Sequence, residues 1–123
     1  MSLDQLIQQV SFKLASEIAD RTIICRIKDY RVKKDRHGRN MLILTLQCHA
    51  HGRVVVALSP VFAKEFGERM KKLGVTKISE MFDYCYEWEK VQLPRIREDY
   101  NEPYPRFLPV KIVDCPDDLV EGQ

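Results

Sequence analysis

Between Thr22 and Leu58 apolar and polar residues alternate with a period of two, in three runs separated by short polar links. A helix cannot keep such a pattern on one face, because its period is 3.6, so the alternation commits this stretch to strands. In the first run Ile23, Cys25 and Ile27 face one way and Arg26 and Lys28 the other, out to about Lys34. Tyr30 and Val32 fall out of phase, which predicts a bulge near Asp29. Asp35 to Asn40 is a polar turn, after which Met41 to His49 forms a second strand with Leu42, Leu44, Leu46 and Cys48 on one face. Ala50, His51 and Gly52 form another tight turn, and Arg53 to Leu58 supplies a third, valine-rich strand. Three strands therefore meander together.

The flanking segments change period. Ser2 and Gln5 have the form of a capping box, and Leu3, Leu6, Ile7, Val10, Leu14 and Ile18 recur at helical spacing, which predicts an amphipathic helix over residues 3 to 20. A stripe of that size should be buried on the sheet or on a second chain. Ser59 and Pro60 open a helix over residues 60 to 73, with Phe62, Phe66 and Met70 on one face and Gly74 as its stop. Ile78, Met81 and Phe82 add one short turn. Residues 83 to 93 return to strand-like composition, residues 94 to 106 suit a proline-containing surface loop, and Phe107 to Val113 reads as a last strand whose Pro109 implies an edge or an irregularity. In the fourth strand Tyr84, Tyr86 and Trp88 share a face opposite Cys85, Glu87 and Glu89. Those rings are core if a bulge near Glu89 or Lys90 resets the phase, and an outward stacking platform if none does.

The chain has 123 residues, enough for a single core. No apolar run approaches the roughly 20 residues of a membrane span, and no basic-then-apolar leader opens the chain, so the reading is of a soluble cytoplasmic protein. Cys25, Cys48, Cys85 and Cys115 lie far apart in a chain that needs no staples, and reduced thiols are expected. Metal ligation by Cys48, His49 and His51 is discounted, because no closely spaced cysteine pair is present. Nucleotide-loop, nucleophile-elbow and zinc-protease motifs are absent, and the spacing of Asp83, Glu87, Glu89, Glu98 and Asp99 singles out no nuclease site. The expectation is a protein that is not an enzyme and needs no cofactor.

The element order over residues 22 to 113, three strands, a helix and two strands, resembles the OB-fold family of small five-stranded barrels that bind oligonucleotides or oligosaccharides. The resemblance implies a mainly β fold with helices: a five-stranded OB-like barrel at 22 to 113, an N-terminal helix at 1 to 21 and an acidic tail at 114 to 123. It also implies that Phe62, Phe66 and Met70 plug one end. Under that mapping the charge falls in a telling place, since residues 21 to 39 hold eight basic residues against two acids. The loop between the first two strands carries Lys33, Lys34, Arg36 and Arg39, and the loop between the last two carries Arg95, Arg97 and Arg106. OB-folds grip single strands through these two loops. Tyr30, Tyr100 and Tyr104 lie in or beside the same segments, where rings can stack on bases or pin the loop.

The candidate nucleic-acid-binding set is therefore Arg26, Lys28, Tyr30, Arg31, Lys33, Lys34, Arg36, Arg39, Arg53, Arg95, Arg97, Tyr100, Tyr104 and Arg106. The expected partner is single-stranded DNA or RNA, with DNA favoured, bound with little sequence preference. A non-enzymatic interaction or assembly subunit, pairing with its own copy through the N-terminal helix and meeting an acidic protein through the basic loops, is the alternative. The tail, with Asp117, Asp118 and Glu121, is similar in charge to that of bacterial single-strand-binding proteins, although Glu121, Gly122 and Gln123 stand where that family has a hydrophobic tip. It is expected to be mobile and to compete for the basic loops.

Overall fold

The computed structural model describes residues 2–92 and 105–120, and for residues 8–10 the backbone only. The meander is as the alternation requires: β1 (Thr22–Lys34), β2 (Asn40–Cys48) and β3 (Gly52–Leu58) pair antiparallel in sequence order. The first turn is built by Asp35, whose carboxylate accepts the His37 and Arg39 N–H groups at 2.8 and 2.9 Å, with Gly38 at φ 79° reversing the chain. Two more antiparallel strands, β4 (Cys85–Val91) and β5 (Arg106–Val113), complete one sheet in the order β3-β2-β1-β4-β5. The bulge falls at Lys28, where the register steps from Ile27↔Leu46 to Asp29↔Thr45. That extra residue turns Tyr30 and Val32 onto the face of their partners Leu44 and Leu42.

The inner face of the sheet buries Ile23, Ile27, Leu44, Leu46, Val54, Val56, Tyr86, Trp88 and Phe107. It is covered by Phe62, Phe66 and Met70 of α2 (Pro60–Lys72). Full burial of such side chains contributes about 1.5–3 kcal/mol each, so this layer carries most of the fold's stability. α2 opens with Pro60 in its first turn, where a missing N–H is harmless, and Gly74 follows it at φ 82°. A single turn, α3 (Ile78–Met81), leads into β4. Tyr86 and Trp88 are core: the phenol donates to the Met81 carbonyl at 2.8 Å and the indole to the Cys25 carbonyl at 3.0 Å, so neither polar group is stranded. Burial pushes the Tyr86 phenol above the ordinary tyrosine range. The bulge that accompanies them lies in β5, because Glu87 faces Lys111 while Trp88 faces Pro109, leaving Val110 as the extra residue. Tyr84 precedes the strand and is exposed.

Four expectations are corrected. The sheet does not close into a barrel, for the outer edges of β3 and β5 share no strand ladder. Arg106 spans part of the gap instead, with Nε donating to the Ala57 carbonyl at 2.6 Å and the guanidinium 5.7 Å from the Phe62 ring centre.

The N-terminal helix is also shorter than its periodicity suggests. α1 runs only Leu3–Val10, opened by the Ser2–Gln5 capping box. Lys13 is extended and pairs in parallel with Val54, its N–H donating to the Arg53 carbonyl at 3.0 Å and its own carbonyl accepting the Val55 N–H at 2.9 Å. An open strand edge offers unpaired amides and carbonyls, and two such bonds outweigh continued helix. Ile18 is buried after a 3₁₀ turn at Ala15–Glu17, while Leu3, Leu6, Ile7 and Leu14 are exposed, so among the described residues the sheet does not cover the stripe at those four positions.

The cysteines are disulfide-bonded, Cys25 to Cys48 and Cys85 to Cys115. Cys25 and Cys48 stand directly opposite in the β1–β2 register, a juxtaposition that core size says nothing about. The segment after β5 is structured as far as Val120: a 3₁₀ turn at Asp117–Leu119 buries Leu119, and the Cys85–Cys115 bond ties it to β4. Residues 121 to 123 lie outside the described residues. Among the described residues no helix is long and apolar enough to cross a membrane.

Candidate nucleic-acid interface

β1 changes neighbours along its length. Its pairing with β4 runs only from Thr22↔Glu89 to Arg26↔Cys85, whereas its pairing with β2 continues to Lys34↔Asn40. Beyond Lys28 β1 is therefore an edge among the described strands and forms with β2 a hairpin arm that β3 flanks as far as Leu42↔Leu58, and every residue from Lys28 to Lys34 is exposed. The arm and its turn carry Lys28, Arg31, Lys33, Lys34, Arg36 and Arg39, all in contact with water. Arg39 is braced, its Nε 3.0 Å from the Asp35 carboxylate, and Lys34 Nζ lies 3.5 Å from the Gly38 carbonyl. Among the described residues no carboxylate lies within ion-pair distance of Lys28, Arg31, Lys33 or Arg36. Hydrogen bonds from the turn, the Arg39 N–H foremost, hold the Asp35 carboxyl below the usual carboxylate range. A rigid turn thus carries unneutralised cations, which is what a polyanion needs to meet.

Tyr30 lies at the root of the arm, 39% exposed, with its ring centre 6.2 Å from that of Phe82. Arg53 is exposed at the start of β3 and lines an open groove of about 660 Å³ with Phe12, Lys13 and Gln47. The strand register places Arg53 and Gln47 on the outer sheet face, the face that carries Arg31 and Lys33 of the arm.

Two predicted contacts are structural instead. Arg26 is 6% exposed, with Nη1 donating to the Leu119 carbonyl at 2.9 Å and Nη2 to the Phe82 carbonyl at 2.8 Å. Alternation correctly puts it on the outer face, but the segment after β5 covers that face there. Arg106 is half-buried and serves the gap between β3 and β5. Arg95, Arg97, Tyr100 and Tyr104 lie outside the described residues. Sequence reasoning misses Phe12, because it falls inside the expected helix. Its signal is there, since an aromatic ring off the apolar stripe is out of place on a helix.

The histidines of the β2–β3 turn are each held by an aspartate, His49 Nδ1 by Asp118 and His51 Nε2 by Asp20, both at 2.9 Å. Cys25 and Cys48 are bonded to each other, and among the described residues no three metal-ligating side chains gather.

Comparison with protein families, curated proteins and solved structures finds no match to this chain.

Proposed function

We propose that this protein binds single-stranded nucleic acid, DNA or RNA, with little sequence preference. The observation that carries the reading is the β1–β2 arm, an exposed edge hairpin whose Lys28, Arg31, Lys33 and Arg36 have no acidic partner among the described residues. Such charges cost little to present to a polyphosphate and release its counterions on contact. The strand order, with β1 central and α2 between β3 and β4, supports an OB-like architecture, a class whose barrels are partly open and whose loop between the first two strands grips oligonucleotides. Exposed rings at Tyr30 and Phe12 favour single strands over duplex, because unpaired bases have free faces to stack.

Replacing Arg31, Lys33, Lys34 and Arg36 by Ala tests this and keeps the Asp35 hydrogen bonds of the turn, which none of these four side chains makes. Fluorescence polarisation with a labelled single strand, over a salt series, should show weaker binding and a salt slope shallower by about 0.7 for each phosphate no longer neutralised. An unchanged slope rejects the arm as the binding element.

A second reading, self-association, is favoured by α1, where Leu3, Leu6 and Ile7 are exposed on a helix with no described apolar cover. Light scattering on wild type and Ile7→Glu decides it: a dimer that dissociates in the variant supports it, and a monomer in both excludes it.

A further inference from the structure

We infer that the groove beside Phe12 is a base-stacking subsite, so that a bound single strand crosses the outer sheet face from the arm to the N-terminal segment. The inference rests on the proposed nucleic-acid function and adds a second, distant contact to it. Lys13 is pinned on the β3 edge by two backbone hydrogen bonds, which fixes the strand-like backbone of its neighbour. Because Lys13 pairs with the inward-facing Val54, alternation turns Phe12 to the outer face, beside Arg53.

Phe12 is 53% exposed although its backbone is anchored, a poor place for a ring unless something covers it. Around it the groove offers Arg53 for phosphate and the half-buried Gln47 for hydrogen bonding. His51 also lines the groove, with its Nε2 2.9 Å from the Asp20 carboxylate. An aromatic face beside a cation and an amide matches a nucleotide, with a base on the ring and a phosphate at Arg53.

The register gives the path. Rows across the outer face run Arg53, Gln47; then Val55, Thr45, Asp29; then Ala57, Ile43, Arg31; then Met41, Lys33. From Gln47 to Met41 is about 20 Å along β2, so the arm and the groove lie at opposite ends of one surface. Ile43 and Val55 are only half-buried between them and supply apolar surface on which bases can lie. Asp29, whose Oδ1 accepts the Tyr30 N–H, is the one acid in those rows.

The test uses the full chain, a twelve-residue oligothymidylate probe and three variants: Phe12→Ala, Phe12→Trp and the fourfold arm variant. Phe12→Ala should bind about tenfold more weakly at unchanged salt slope, since it removes stacking and no charge, and Phe12→Trp should restore affinity. The only native tryptophan, Trp88, is fully buried, so quenching of the new indole by the oligonucleotide reads stacking directly. Wild-type affinity in Phe12→Ala with unmoved emission in Phe12→Trp, while the arm variant loses binding, overturns the subsite and leaves the function standing. No binding by wild type itself overturns both.

Discussion

The two halves of β1 are one continuous strand with opposite fates. From Thr22 to Ile27 it is the centre of the sheet, flanked by β2 and β4, with Ile23, Cys25 and Ile27 buried and one disulfide binding it to β2. From Lys28 to Lys34 it is exposed, and β2 is its one strand partner among the described residues. Composition does not separate the halves, since basic residues occur in both. Arg26 is a structural ion and Lys33 a surface one because the segment after β5 covers the first and leaves the second. Neighbours assign a charge its role, and the bulge at Lys28 marks where the neighbours change.

A pair of truncations on the same strand puts this contrast at greatest risk. Ile27→Ala should cost about 2–5 kcal/mol in denaturant unfolding, as a large core deletion does, whereas Val32→Ala should stay within about 0.5 kcal/mol. Similar losses at both sites would mean the arm is packed. Next in size, the double variant Cys85→Ala, Cys115→Ala should lower stability by about 2–4 kcal/mol, while leaving oligonucleotide affinity at the arm unchanged. Binding that falls with stability would show the halves to be coupled.

Arg26→Gln should cost about 2 kcal/mol, because the carbonyls of Leu119 and Phe82 lose their charged donor. A variant as stable as wild type would return Arg26 to the surface cations. The smallest effect is in the turn of the arm. The Asp35 carboxyl is held below its ordinary value of about 3.9, so its ordering of the turn is complete above that pH and is lost as pH falls through the lowered value. The His37 and Arg39 amide shifts should therefore stay constant from pH 7 to about 4 and move only below; a midpoint above about 4 contradicts the hydrogen bonding.

Much of the fold is legible in the sequence because it is local. Alternation places β1, β2 and β3, the Ser59–Pro60 pair and Gly74 bracket α2, and the phase slip at Tyr30 locates the bulge. Pro109 announces the irregular edge strand in which it lies. The misreadings share a different cause, each being set by a segment distant in sequence. Leu14 and Ile18 have helical spacing from Leu3, yet the open edge of β3 draws Lys13 into pairing. Arg26 and Arg106 are basic like their neighbours, and only Leu119, Phe82 and Ala57 reveal their use. Of the site, the arm cations are readable from charge alone. Phe12 is readable only as a ring off the apolar stripe, because its exposure depends on where the helix stops.

The bond between Arg26 and Leu119 joins residues 93 apart, and that separation sets an order of events at the ribosome. At roughly 5–20 residues per second, Leu119 leaves the peptidyl-transferase centre about 5–20 s after Arg26. During that interval the meander can pair, for its contacts are local, but the guanidinium on its outer face must stay hydrated. The outer face of β1 near Arg26 is therefore the last surface to become dry, and a chain released before residue 119 would carry a charge with no lid over it.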